Sequence, residues 1–295
     1  MSTKIRRSFG DKVFDTVNVS IMVLIAVSVI YPFWNLLVQS LNDGYTAANQ
    51  LRFWPARFTF FNYEHVLSNK YIWSGYRETL IRIVLGTSLE VFTTMIGGYA
   101  LSKKYLPLRK FFIIMVVIPM FFSGGLIPQY LWNSQLGLRN TRWALVLPGL
   151  ISSYNLIVMR NFFQNVPIDL EESARIDGAN NIRILFSIYM PVSMAVIATI
   201  TLWVMVGHWN AWFDATIYMN DADLYPLQVV LRRILLEGTQ QMMEISPNAR
   251  DSGQSASPDN IKAATVFVCM IPIMCVYPFL QKYFVKGTLV GAIKG

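Results

Sequence analysis

The sequence predicts an all-α integral membrane protein with six transmembrane helices. Of its 295 residues, 54% are hydrophobic and only 14% are charged, whereas a soluble domain usually carries about 25% charged residues. The hydrophobic residues are also gathered into long blocks, and a helix needs roughly 20 of them in succession to cross a bilayer. Lipid offers backbone polar groups no hydrogen-bond partner, so each block must be helical.

Six blocks are long enough to span the membrane. The predicted spans are about Val17–Gln39, Thr79–Leu101, Phe111–Leu131, Trp143–Met159, Ser187–Asn210 and Ala263–Gln281. Prolines punctuate these spans, and membrane helices tolerate proline as a local kink. The first block is long, follows a charged start and precedes no small-residue cleavage pattern, so we interpret it as a retained span and not as a signal peptide.

Basic residues beside the spans predict the orientation. They cluster before span one, between spans two and three and after span six, for example at Arg6, Lys103 and Lys282. Positive loops stay on the cytoplasmic side, so both termini are expected there. The resulting organisation is a cytoplasmic arm 1–16, a membrane domain 17–285 with a cytoplasmic loop 160–186 and external loops 40–78 and 211–260, and a cytoplasmic tail 286–295.

Several classes of function are not expected. The net charge is +8, but the basic residues flank the apolar blocks as orientation signals do, so no nucleic-acid partner is predicted. Cys269 and Cys275 fall on different helix faces, which disfavours an internal disulfide. With two histidines and no Cys/His cluster, no metal site is predicted. No catalytic residues are predicted.

The cytoplasmic loop between spans four and five contains a helix-turn-helix pattern. Pro167 suits the start of a helix, and acidic residues in the first turns suit the positive end of the helix dipole. Leu170, Ala174 and Ile176 give a modest apolar side. Gly178 suits a left-handed C-terminal position, and a second short helix follows at 180–186. From these residues alone, an ordinary amphipathic loop helix is an equal alternative.

The same segment resembles the signature loop of ABC-importer permeases. That loop has a Glu-Ala-Ala triplet, a glycine and then Ile-x-Leu-Pro at fixed spacing. Here the sequence is Glu172-Ser173-Ala174, Gly178, and then Ile188, Met190 and Pro191. The Ile-Asp-Gly-Ala at 176–179 narrows the resemblance to carbohydrate importers of the maltose type. Segments such as "FFSGGLIPQYLWNSQLGLRNTRWALVLP" from Phe121 extend it over most of the chain. They point to the complex-oligosaccharide subgroup, one member of which imports alginate oligosaccharides.

The resemblance implies a type I ABC importer permease fold in a bacterial inner membrane. The partners would be a homologous second permease, two ABC ATPases, an external solute-binding protein, membrane lipid and an oligosaccharide. The chain has no G-x-x-x-x-G-K-[ST] motif, so ATP and Mg would bind to the ATPases and no cofactor to this subunit. The residues expected to couple to the ATPases are Glu171, Glu172, Ser173, Ala174, Asp177, Gly178 and Ala179.

A second set of residues is a candidate for the substrate path. Its members are Glu90, Tyr154, Asn155, Trp203, His208, Trp209 and Asn210. A carboxylate inside the membrane must be paired, protonated or in a wet cavity, so an interhelical hydrogen bond is the main alternative for Glu90. An interfacial aromatic belt is the favoured alternative for Trp209 and Trp212. Arg82 is expected near the outer interface, where it would snorkel.

Other transporter classes remain as alternatives. An ion-coupled transporter or channel would need inverted repeats or several buried charges, and neither is evident in the sequence. A receptor would need a cytoplasmic signalling domain, for which the tail is too short. An ABC permease for a non-sugar solute is disfavoured by the Ile-Asp-Gly-Ala context.

Overall fold

The computed structural model describes residues 9–43, 53–237 and 257–292, with side chains described as far as Val276. These residues are almost entirely helical. The helices are α1 (Phe9–Ser40), α2 (Phe61–Ser68), α3 (Lys70–Ser102), α4 (Arg109–Phe121), α5 (Leu126–Gln135), α6 (Ser153–Gln164), α7 (Ile168–Ile176), α8 (Asn181–Ile184), α9 (Met190–Val192), α10 (Met194–Asn210), α11 (Phe213–Tyr218), α12 (Leu227–Glu237) and α13 (Pro258–Ala292).

The six predicted spans are present, but only half of them are straight helices. Helices α1, α3 and α13 are each long and apolar enough to cross a bilayer, and three further spans are bent pairs. The all-α prediction is therefore confirmed. Helix α3 begins at Lys70, well before the predicted Thr79. The backbone helix of α13 continues to Ala292, through most of the segment predicted as a tail.

The bent spans correct the prediction of single helices. Span three breaks between α4 and α5 with a bend of 117°. Gly125 lies at this break with a φ of +86°, a conformation that residues with a Cβ atom avoid. Span four begins as two 3₁₀ segments, Arg142–Leu145 and Leu147–Gly149, and bends 49° before α6. Pro148 and Gly149 weaken a helix at this point, which explains the irregular start.

Span five departs most from the prediction. The segment Asn181–Val192 bends 87° from α10, so the predicted start at Ser187 lies outside the straight part of the span. A π-helical turn, Leu185–Tyr189, joins α8 to α9, and Pro191 lies in α9. Proline and π-turns are common causes of such kinks. The predicted second helix 180–186 is therefore only the start of a helical stretch that continues through the π-turn and α9 to Val192.

The chain divides into two compact units, and the first comprises Met1–Asn69 and Ile234–Met270. Asparagines hold it together. Asn62, at 1% exposure, donates to the carbonyls of Ser40 at 2.9 Å and Asn42 at 2.8 Å. Asn260 donates to the carbonyls of Asn42 at 3.1 Å and Asp43 at 2.8 Å. These bonds satisfy the carbonyls where α1 ends, which would otherwise be costly to bury.

The second unit, Lys70–Arg233 and Ile271–Gly295, is organised around α3. Glycines on α3 occur at positions 75, 86 and 97, close to a whole number of helical turns apart, so they share one face. A Cβ at Gly86 would lie 2.3 Å from His208 Nε2, and one at Gly97 would lie 2.9 Å from Leu156. Small residues of this kind allow membrane helices to approach closely. The glycine face therefore seats α6 and α10 against α3.

A hydrophobic core continues from this helix group towards the loop between spans four and five. It includes Met95 and Tyr99 of α3, Met159 and Phe163 of α6, and Ile200 of α10. Leu185 and Tyr189 of the π-turn belong to the same cluster. The helices of this loop are thus packed against the spans.

The close contact at Gly86 yields a stability prediction. Gly86→Ala should lower the free energy of unfolding by about 1–3 kcal/mol, because the added methyl group overpacks the buried His208 ring. Gly207→Ala is the matched control, since a Cβ there meets nothing within 4 Å. Thermal unfolding of both variants in detergent is the measurement. Equal stability of the two variants would contradict the glycine-face interpretation.

Candidate functional site

The loop between spans four and five folds as a helix-turn-helix, which we call the bracket (residues 168–184). Helix α7 begins after Pro167 and ends at Ile176. Gly178 has a φ of +78°, as its predicted left-handed position requires. The Asn180 side chain caps α8 by accepting a 2.8 Å hydrogen bond from the backbone of Arg183. Both ends of the turn are therefore fixed by local chemistry.

One face of the bracket is open to solvent. It carries Glu172, Ser173, Asp177 and Gly178, all exposed. Large apolar side chains are exposed on it as well: Ile168, Leu170, Ile176 and Ile182. Ile176 is 87% exposed, which is unusual for a residue of its size. An apolar patch rimmed by polar side chains is typical of a protein interaction site.

The opposite face packs onto the spans. Ala174 and Ala179 lie against the hydrophobic core, where a larger side chain would lift the bracket away. The prediction that Leu170, Ala174 and Ile176 share one apolar side is wrong, because Ala174 faces the core and the other two face solvent. The two alanines of the coupling set are thus partly covered by the core on which the bracket sits.

Glu171 also faces inward, at 1% exposure. Its carboxylate accepts hydrogen bonds from Lys103 Nζ at 2.5 Å, Tyr189 OH at 2.7 Å and Arg175 Nη2 at 2.9 Å. Tyr105 OH donates a further bond at 3.2 Å. Glu171 was predicted with the ATPase-coupling residues, but these contacts keep it off the exposed face. Its negative charge is paired with Lys103 and Arg175 of the same chain.

The pKa of Glu171 reflects this setting. Burial acts to raise the pKa, but the hydrogen bonds from Lys103, Tyr189 and Arg175 outweigh it and lower the pKa to about 2. The carboxylate is therefore ionised throughout the physiological range. Its charge, paired with Lys103, is a permanent feature of the bracket.

A tract of polar residues lies between the helices. It is formed by the buried Arg82, Glu90 and Asn155 and the partly buried His208 and Asp214. Asn155 Nδ2 donates to Glu90 Oε1 at 3.0 Å, so the interhelical hydrogen bond considered for Glu90 is present. His208 Nε2 lies 3.9 Å from Glu90 Oε2. Three helices, α3, α6 and α10, therefore contribute to one polar contact group.

Arg82 occupies a different environment from the predicted one. Its side chain is only 6% exposed and forms a bidentate ion pair with Asp214, which excludes snorkelling at the interface. Arg82 Nε also donates to His208 Nδ1 at 3.3 Å. Its charge thus has partners inside the protein, as a buried guanidinium requires.

The aromatic candidates separate into two groups. Tyr154 and Trp203 are both exposed, with ring centroids 5.9 Å apart. Trp209 is 7% exposed, so the favoured interpretation of it as part of an interfacial belt is wrong. Arg232 stacks over Trp212 at 3.8 Å. Asn210 ends α10 and is exposed. It is not part of the hydrogen bonds given above for Glu90.

Sequence reasoning missed several residues that the fold makes central. Lys103 was interpreted only as part of an orientation signal, and Tyr189, Asp214 and the Glu78–Arg142 pair were not singled out. Arg142 donates to Glu78 at 2.6 and 3.0 Å. No local pattern marks such pairs, because their members lie far apart in sequence. Among the described residues, no group of His, Cys, Asp and Glu is arranged to hold a metal ion.

Comparison with known proteins assigns the family. Residues 83–290 match the model of the binding-protein-dependent transport system inner membrane component. The polygalacturonan/rhamnogalacturonan transport system permease protein YtcP of Bacillus subtilis is 36% identical over 97% of this chain and 99% of its own. Protein LplC of the same bacterium is 37% identical over 96% of each chain.

A solved structure agrees with these relatives. It is described as the crystal structure of a bacterial ABC transporter involved in the import of the acidic polysaccharide alginate. The similarity has a TM-score of 0.87 and 30% sequence identity, covering 95% of this chain and all of that one. Both the sequence and the fold therefore lead to one assignment: the chain belongs to the family of inner membrane components of binding-protein-dependent transport systems.

Proposed function

We propose that this subunit translocates an oligosaccharide across the cytoplasmic membrane by alternating access. It would pair with a second, homologous permease, receive the oligosaccharide from an external binding protein and be driven by two ABC ATPases that hold the ATP and Mg. The observation that carries the proposal is the bracket, which has one face anchored to the spans and the other face free to dock.

The exposed face of the bracket suits a protein partner that moves. Ile176 and Ile182 offer apolar anchors, and Glu172 and Asp177 offer charge at the rim. Interfaces are commonly built as an apolar centre with a polar rim. An ATPase bound to this face would displace the bracket as one unit, because the turn at Gly178 holds its two helices together. The packing of Ala174 on the core would pass this displacement to the spans.

An acidic oligosaccharide is the proposed substrate class. One relative is named for polygalacturonan and rhamnogalacturonan, and the similar structure concerns alginate. In this chain, Tyr154 and Trp203 offer exposed aromatic faces that suit the C–H surfaces of a sugar ring. Asn155 and His208 are turned away from this surface, because Asn155 is buried against Glu90 and His208 is largely covered. Of these four residues, Tyr154 and Trp203 alone therefore present the sugar-facing surface. We therefore place the sugar path along the α6 and α10 surfaces at these residues.

The proposed orientation has both termini in the cytoplasm. Lys103 and Glu171 are in contact, so the basic loop after α3 and the bracket lie at the same end of the helix group. At the other end of α3, Arg142 bonds Glu78 and the backbone of Leu227 bonds Thr79. This separation supports the inside and outside loops of the six-span topology.

Reporter fusions test this orientation. A fusion after Gly295 should be active only as a cytoplasmic reporter, and one inserted within 246–260, of which 246–256 lie outside the described residues, should be active only as an external reporter. The expectation follows from the basic loops, which stay inside. Activity of both fusions on the same side would show that the number of spans differs from six.

The turn of the bracket gives a second prediction. Gly178→Val should leave the protein in the membrane but reduce ATP-driven uptake, because a left-handed backbone costs a residue with a Cβ about 1–2 kcal/mol. Gly178→Asn is the matched control, since asparagine adopts this conformation more readily. Uptake and co-purification of the ATPases are measured for both variants. Normal uptake by the valine variant would contradict a role for the turn.

The function and the path are tested together by uptake of a labelled oligogalacturonate. Vesicles containing the complete importer should accumulate it only with ATP and binding protein present. Trp203→Ala should slow this uptake roughly two- to tenfold, the effect of losing one aromatic contact.

Trp132→Ala is the control for this measurement, since Trp132 is also an exposed tryptophan but lies on α5. Failure of the wild-type importer to accumulate oligogalacturonate, while it accumulates a neutral maltodextrin, would overturn the acidic substrate class. Equal uptake by the two tryptophan variants would move the path away from Trp203.

A further inference from the structure

Lys103 and Glu171 form an ion pair that is almost completely removed from solvent. Their side chains are 6% and 1% exposed, respectively. Lys103 follows directly after the last residue of α3, and Glu171 lies in α7 of the bracket. The pair therefore joins span two to the bracket through a contact between residues far apart in sequence.

The ammonium group of Lys103 is enclosed by two tyrosine rings. Its Nζ lies 3.9 Å from the ring centroid of Tyr99 and 3.9 Å from that of Tyr189. The two rings also contact each other edge to face, with centroids 5.0 Å apart. A cation held over aromatic faces is stabilised electrostatically, and more so when it is desolvated. The cage fixes the position of Lys103 from two helices.

Glu171 is fixed from the other direction. Tyr189 OH donates to the same carboxylate oxygen as Lys103 does, and Arg175 and Tyr105 donate to the second oxygen. One carboxylate thus links the end of span two, the bracket and the π-turn that leads into span five. Hydrogen bonds of this number and charge have a single good geometry.

Stability alone does not account for this arrangement. Apolar residues of similar volume usually replace a buried ion pair with no loss of stability, because the charges pay a desolvation cost. An apolar contact also slides more easily than a set of directional bonds. A buried pair is therefore best suited to fix the relative position of the elements that it joins.

We propose that Lys103 and Glu171, caged by Tyr99 and Tyr189, are positioning residues that transmit displacement of the bracket to spans two and five. This inference rests on the proposed function and adds a specific linkage to it. When the ATPases move α7, the pair would carry the ends of α3 and the π-turn along as one body. Glu171 would then act from inside the bracket and not as a docking residue.

The coupling ratio of the complete importer tests this proposal. In proteoliposomes, ATP hydrolysed per labelled oligogalacturonate taken up is compared between wild type and Lys103→Met. The variant should still co-purify with its ATPases, because the docking face is unchanged. It should use more ATP per sugar by on the order of tenfold, the range typical of a coupling free energy between two sites.

Two further variants separate transmission from folding. Lys104→Met removes a neighbouring but exposed lysine and should keep the wild-type ratio. The double variant Lys103→Met with Glu171→Met removes both buried charges. Arg175 also loses Glu171, but its side chain is 42% exposed and water can solvate it. The double variant should insert into the membrane and bind the ATPases normally, and it should still hydrolyse more ATP per sugar than wild type.

The outcomes are distinct. A wild-type ratio in the double variant would overturn the proposal, since apolar packing would then transmit the displacement equally well. Loss of ATPase binding in the well-folded double variant would overturn it too, by showing that the pair acts on docking. Failure of the wild-type importer to take up either oligogalacturonate or maltodextrin with ATP would refute the proposed function instead, before any variant is compared.

Discussion

The need to pair buried charges determines the structure of the second unit. Helix α3 buries Glu78, Arg82 and Glu90 along its length, and each is held by a residue from another segment. An unpaired charge in this setting costs several kcal/mol, so α3 cannot separate from those segments without a large penalty. The glycines at 86 and 97 allow α10 and α6 to come close enough for these bonds. Close packing and charge pairing therefore depend on each other.

The bracket is subject to the same constraint at the Lys103 end of α3. Its sequence carries several acids in the first turns of α7, and the fold gives neighbouring acids opposite roles. Glu171 turns inward to Lys103, whereas Glu172 remains exposed. Residues adjacent on a helix point about 100° apart, so a face buried against the spans takes one and leaves the next. A single helix can thereby be anchored and still offer a docking surface.

The sequence was sufficient for the fold class, the six spans and the bracket, because each rests on a local pattern: apolar length, basic loops, and a glycine that needs a left-handed backbone. It was insufficient where a residue's role depends on a distant partner. Arg82 is expected at the interface from its position two turns before Glu90, near the outer end of span two, but Asp214, which pairs with it, lies on α11. The bends in spans three, four and five have local signals, Gly125, Pro148 and Pro191, but their angles are set by packing.

Trp209 shows the same limit for aromatic residues. Tryptophan near the end of a span is usual in an interfacial belt, yet this side chain is buried, whereas Trp203, further inside the span, is 38% exposed. Helical periodicity alone places the two on different faces, and only the positions of α3 and α6 decide which face is covered. The exposed face of α10 carries Trp203, with Tyr154 of α6 beside it. The covered face of α10 carries Trp209 and His208, and His208 lies near Glu90 of α3. A sugar path along the exposed face would lie in front of the charge network on the covered face. Movement of α3 could then alter the path without any charged residue of α3 contacting the substrate.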